Sequence, residues 1–276
     1  MLCRLVLCRL APCLVLGLAL LFAAAPSFAA ETIGVLLLHG KNPGSPQNPG
    51  LQSIRTKLEA DGMRVRVPDM PWSANRYIDG DWAKAMGEIK SNIDALRSAG
   101  ATKIVVLGHS IGCAGALSFA ATRGGVDALV LMAPGHVPYY YYNAQQQGPN
   151  GAVRASIDEA RALVAAGQGD TKRDFKDNNQ GKALSVRLTA AQYLSYFDPD
   201  GEAEMGEMAK KVPAGTPSLL IIGDDDPLTT VAKSYIFDRL PPSPKSVYQT
   251  IKGTHVSVLQ SSREEIAAWI KQALAN

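Results

Sequence analysis

Two periodicities of apolar residues alternate along this chain, and their alternation predicts its architecture. TIGVLLLHG (32–40) is a continuous apolar run, the pattern of a strand buried on both faces of a parallel sheet. MRVRVPDMP (63–71), KIVVLGHS (103–110), VDALVLMAP (126–134), PSLLIIGDDDP (217–227) and KSVYQTIKGTH (245–255) read as further strands. Helical spacing fills the gaps. Leu51, Ile54 and Leu58 mark one helix face before Gly62, and Trp82, Met86, Ile89, Ile93 and Leu96 mark a longer one between Asp81 and Gly100. IGCAGALSFAATRGG (111–125) is a third helix, and a helical stretch ends near Leu240. The last helix buries Ile266, Trp269, Ile270 and Leu274, and its start at Ser262 with Glu265 predicts a capping box.

Strands alternating with helices specify a mostly parallel, doubly wound α/β sheet of about six strands. One interval breaks the rhythm. Between Pro134 and Pro217 lie VPYYYYNAQQQGPNG, two or three short helical patterns and no convincing strand. An interval of that length is too long for a plain loop, so a helical cap insertion is expected at about 135–216.

The first residues have a different pattern. MLCRLVLCRL carries Arg4 and Arg9, LAPCLVLGLALLFAAA is apolar, and APSFAAE closes with small residues. This is the layout of a secretory signal peptide over 1–29, with Ser27 and Ala29 before the cut and Ala30 opening the mature domain (30–276). Retention of the segment as a membrane anchor is the alternative; cleavage leaves no stable membrane span. Export implies a periplasmic or secreted protein. Cys3, Cys8 and Cys13 leave with the leader, and Cys113 remains alone as a filler of the core.

Composition narrows the partners. The 28 basic and 25 acidic side chains nearly balance at +3, without a basic stripe, which points away from nucleic acid. No metal-ligand cluster or phosphate-cradling loop stands out, so no cofactor is implied.

The chemistry centres on Gly108-His109-Ser110-Ile111-Gly112, a G-x-S-x-G pentapeptide between a strand and a small-residue helix. A serine there takes a strained backbone, and the helix N-terminus behind it offers N–H groups to a developing oxyanion. The hydroxyl needs a base. Of four histidines, His255 follows the last strand in a loop free to lean across the strand ends, and it follows an acid in the chain. His136, opening the insertion, is a substrate contact or a capping residue. Asp224, Asp225 and Asp226 each preserve the order Ser, Asp, His.

With these residues the mature chain resembles the α/β-hydrolase superfamily from Ile33 to its last helix. The resemblance implies a catalytic triad of Ser110, Asp226 and His255, because the Gly-x-x-Asp-Pro pattern maps onto Gly223 and Asp226-Pro227. His39-Gly40 matches the motif ending the first strand. It implies an oxyanion hole of the Lys41 and Ile111 backbone N–H groups, although lysine is an unusual occupant there. The superfamily often begins with two antiparallel strands that this chain lacks, so the sheet is expected to be trimmed at one edge.

The function so implied is an exported serine hydrolase acting on a small-molecule carboxylic ester through an acyl-enzyme. The same triad would serve a thioesterase, amidase or acyltransferase, and a non-catalytic binding scaffold is the reading of different class. Tyr139 to Tyr142, Tyr193, Tyr196 and Phe197 line a pocket or form the underside of the cap; Tyr139 and His136 are the candidate substrate contacts.

Overall fold

A computed structural model describes residues 31–143 and 148–275; the leader segment lies outside the described residues. In chain order the elements are β1 (Ile33–Leu38), α1 (Pro49–Ala60), β2 (Arg64–Arg66), α2 (Trp82–Ser98), β3 (Lys103–Ser110), α3 (Ile111–Thr122) and β4 (Ala128–Pro134). Then come α4 (Pro138–Asn143), α5 (Gly148–Ala165), β5 (Lys172–Asn179), β6 (Lys182–Thr189), α6 (Ala190–Phe197) and α7 (Met205–Ala209). The chain closes with β7 (Ser218–Asp225), α8 (Ala232–Tyr235), a 3-10 turn at Phe237–Arg239, β8 (Val247–Thr254), α9 (Val258–Ser261) and α10 (Arg263–Leu274).

Six strands form one sheet in the order β2-β1-β3-β4-β7-β8, every neighbouring pair parallel. Continuous apolar runs follow from a sheet covered on both faces. Val35 and Leu37 of β1 pack into one core layer with α1, α9 and α10, while Leu36 and Leu38 point the other way, toward α2 and α3. Along the middle of the four central strands neither face meets water, so apolar residues dominate there. The edge strand β2 is only three residues long and exposes Arg64 and Arg66, which blunts that edge against pairing with another chain.

The insertion departs from the sequence expectation of a wholly helical cap. Between α5 and α6, β5 and β6 form an antiparallel hairpin, with Asn179 paired to Lys182. Its two-residue turn, Gln180-Gly181, has φ of 54° and 76°, the left-handed pair that suits hairpin twist. Only four of its side chains face the core, Phe175, Asp177, Val186 and Leu188. The remaining mostly polar residues mask the alternation in the sequence. A second correction concerns α10. Ser262 donates its hydroxyl to the Val258 carbonyl of α9 instead of capping α10, so the predicted capping box does not form.

Among the described residues no helix is long and apolar enough to cross a membrane.

Candidate active site

Strand register brings the site together at one end of the sheet. Leu38 lies opposite Gly108, so the residues leaving β1 run beside the end of β3; Ser110 lies opposite Pro134, so Gly135 follows directly alongside. On the far side Asp225 lies opposite Thr254, and Asp226 and His255 are the next residues out of β7 and β8. All five strand ends point to one volume, where a parallel sheet places its ligands.

Ser110 turns between β3 and α3 at φ 56° and ψ −123°, a region a non-glycine residue occupies only at a cost of about 1–3 kcal/mol. Glycine on either side makes that turn possible. A Cβ on Gly108 would lie 2.2 Å from the Gly112 carbonyl oxygen, and one on Gly112 would lie 2.3 Å from the Leu38 carbonyl oxygen. Ile111 is the first residue of α3, so its N–H points out of the helix N-terminus.

His255 Nδ1 donates to Asp226 Oδ2 at 2.6 Å, and the other carboxylate oxygen accepts the Leu228 N–H at 2.8 Å. The Asp226 carboxylate is wholly buried and the His255 side chain is 32% exposed, so the ring stands between a dry anchor and solvent. A carboxylate can only accept, which assigns the proton to Nδ1 and leaves Nε2 as a base. Asp224 and Asp225 are exposed. Asp224 accepts the Gly253 N–H at 2.9 Å, bracing the strand that leads to His255.

Among the described residues the Ser110 hydroxyl has no hydrogen-bond partner. Hydroxyl and imidazole nevertheless face one another across Gly135. A Cβ built on Gly135 would lie 2.7 Å from Ser110 Oγ and 3.3 Å from His255 Cε1. That glycine was not singled out from the sequence, where Pro134-Gly135-His136 looks like an ordinary strand exit.

His109 was likewise not assigned a role. It is buried, and its Nε2–H donates to the His255 backbone carbonyl at 2.9 Å. Burial, reinforced by the neighbouring His255, holds its pKa down at about 4, so the ring stays neutral. His39 is buried too. Its Nδ1–H donates to the Gly40 carbonyl at 2.7 Å, and its Nε2 accepts the Met70 N–H at 3.0 Å.

Lys41 carries the position whose backbone N–H the family resemblance implies for the oxyanion hole. Its side chain, 7% exposed, reaches into the insertion and donates to Asp177 Oδ1 at 2.6 Å. His136 sits at φ 65°, buried against Tyr141 and Phe197, with Nε2–H donating to the Tyr196 carbonyl at 2.7 Å. Its Nδ1 has no partner among the described residues, and burial holds its pKa at about 4. Tyr139 stands 47% exposed beside Tyr140 and Tyr235. Tyr193, Tyr196 and Phe197 are wholly buried, as the underside of the insertion. Cys113 donates its thiol toward the Gly108 and Met132 carbonyls; burial raises its pKa and keeps it un-ionised. Among the described residues no three His, Cys, Asp or Glu side chains converge on a possible metal site.

Comparison with known proteins bears on the family and the fold. The model of the alpha/beta hydrolase family matches residues 35–269. No curated protein matches the chain. Among solved structures, Est1E from Butyrivibrio proteoclasticus superposes with a TM-score of 0.60 at 16% identity, covering 90% of this chain and 91% of that one. A monoacylglycerol lipase from Paleococcus ferrophilus gives 0.60 at 19% identity, covering 88% and 96%. A soluble variant of monoglyceride lipase from Saccharomyces cerevisiae gives 0.56 at 14%, covering 90% and 89%.

Proposed function

The chain belongs to the alpha/beta hydrolase family, and from that premise we propose that it is an exported serine hydrolase cleaving carboxylic esters of small to medium size. The observation that carries this reading is the 2.6 Å contact of His255 with the buried Asp226, on strand ends that face a serine held at positive φ. A merely structural serine has no need of a strained backbone, nor a surface histidine of a buried carboxylate.

In this reading Ser110 Oγ attacks the ester carbonyl carbon while His255 Nε2 takes its proton. The carbonyl electrons move to oxygen, and the oxyanion is received by the Lys41 and Ile111 N–H groups. Collapse of the intermediate expels the alkoxide, which leaves with the proton from His255, and Ser110 is acylated. Water, deprotonated by the same ring, then releases the acid. Asp226 fixes the imidazole tautomer and stabilises its charged form. The ester preference draws on the two monoglyceride lipases among the structural relatives.

Labelling by a fluorophosphonate probe, with turnover on acyl esters of graded chain length, tests the reading. Ser110→Ala is expected to abolish both while leaving stability nearly unchanged; turnover by the alanine variant equal to wild type would end it. Export is tested separately. Intact mass of protein from the envelope fraction should place the N-terminus at Ala30, whereas a species retaining Met1 in the membrane would restore the anchor reading.

A further inference from the structure

The tip of the insertion's hairpin grips the loop that follows β1. Lys41 Nζ donates to Asp177 Oδ1 at 2.6 Å and to the Asn178 carbonyl at 3.0 Å. Asn179 Nδ2 donates to the Asn42 carbonyl at 2.6 Å, and the Tyr77 hydroxyl donates to Asp177 Oδ2. The Asp177 side chain is wholly buried. From the sheet side, His39 Nδ1–H holds the Gly40 carbonyl at 2.7 Å, and the Trp72 carbonyl accepts the Asn42 N–H at 3.0 Å.

The Gly40 carbonyl and the Lys41 N–H belong to one planar peptide unit, so holding the carbonyl oxygen and the α-carbons at its two ends together fixes the direction of the N–H. His39 fixes the carbonyl end. The other end is the Lys41 α-carbon, and its side chain is anchored to Asp177. Beside Ser110 that plane has little room, since a Cβ on Gly40 would already come within 3.2 Å of Ser110 Cβ. A buried ion pair is seldom worth more to stability than an apolar pair of equal size, but it is directional.

We propose that Asp177 is a positioning residue of the oxyanion hole: through Lys41 the insertion aims the N–H that receives the developing charge. The inference rests on the assignment of that N–H under the proposed function. It makes the insertion part of the catalytic apparatus as well as a cover.

The test is steady-state kinetics on one ester with Asp177→Asn, which keeps an acceptor for Tyr77, with Lys41→Met, and with the double variant. Misdirecting one hole donor should lower kcat about tenfold or more with KM within about twofold. Inactivation by diethyl 4-nitrophenyl phosphate, whose phosphoryl oxygen occupies the same hole, should slow in proportion. Because both changes cut one tether, the double variant should lose no more than either single. Asp174→Ala, which breaks only the exposed Arg187–Asp174 pair on the same hairpin, should match wild type. If Asp177→Asn fails to fold, the double variant, which buries neither charge alone, replaces it with the same expectation. An unchanged kcat, or a fall accompanied by an equal rise in KM, overturns the proposal. Wild-type protein without turnover or probe labelling would instead overturn the parent reading.

Discussion

His109 and His255 are joined through the backbone: the His109 ring, next to Ser110, donates to the backbone carbonyl of His255 at 2.9 Å. The serine turn and the histidine loop, 146 residues apart, are thereby one unit. A hydrogen bond of this kind is worth about 1 kcal/mol net. His109→Phe is therefore expected to lower kcat about tenfold by loosening the His255 loop, since small displacements of a base are costly. His109→Gln, which can still donate, should recover part of the loss. Equal activity in wild type and His109→Phe would show that the loop is held by other contacts.

Gly135→Ala is expected to inactivate the site without unfolding the protein. The added methyl would sit 2.7 Å from Ser110 Oγ. The hydroxyl can escape only by rotating, and the methyl, 3.3 Å from His255 Cε1, would still crowd the space between it and the imidazole. Turnover should fall about a hundredfold or more, while the thermal midpoint moves little. Normal fluorophosphonate labelling of a folded Gly135→Ala would refute this steric account.

The three aspartates should separate clearly in turnover. Asp226→Asn is expected to cost about ten-thousandfold, because the amide favours the wrong histidine tautomer. Asp224→Asn should cost far less, since the amide oxygen can still accept the Gly253 N–H, and the exposed Asp225 should matter least. A larger loss at Asp224 or Asp225 than at Asp226 would reassign the acid.

Acid should destabilise the fold before the carboxylates titrate. Buried His109 and His136 have pKa values near 4 against an ordinary 6.5, so between those values the unfolded chain binds protons that the folded chain does not. Stability therefore rises with pH across that window and is lost as pH falls from about 6.5 toward 4, by up to roughly 3 kcal/mol per ring. Burial raises the Glu204 pKa and offsets part of this, because the folded chain takes up that proton first. Thermal unfolding should occur at clearly lower temperature near pH 5 than near pH 7. His136→Asn, a residue tolerant of φ 65°, should flatten the dependence. A midpoint independent of pH in wild type would contradict the assignment.

The sequence determined the sheet and the pentapeptide turn. The doubly covered middle of a strand is apolar on both faces, so β1, β3, β4 and β7 are legible as runs, and G-x-S-x-G is a local solution to a local steric problem. Chain order also pointed to His255 and limited the acid to three adjacent residues. Tertiary structure decided the rest, for a physical reason: a contact between residues distant in the chain leaves no periodic trace near either of them. The residues alone left three aspartates open and the family resemblance implied Asp226; the register of β7 against β8 supplies the physical reason, bringing the Asp226 carboxylate to His255. Gly135 is constrained only by what β3 places beside it. The hairpin of the insertion escaped notice because most of its side chains face water, and Lys41 looked unusual until folding brought Asp177 to it across 136 residues.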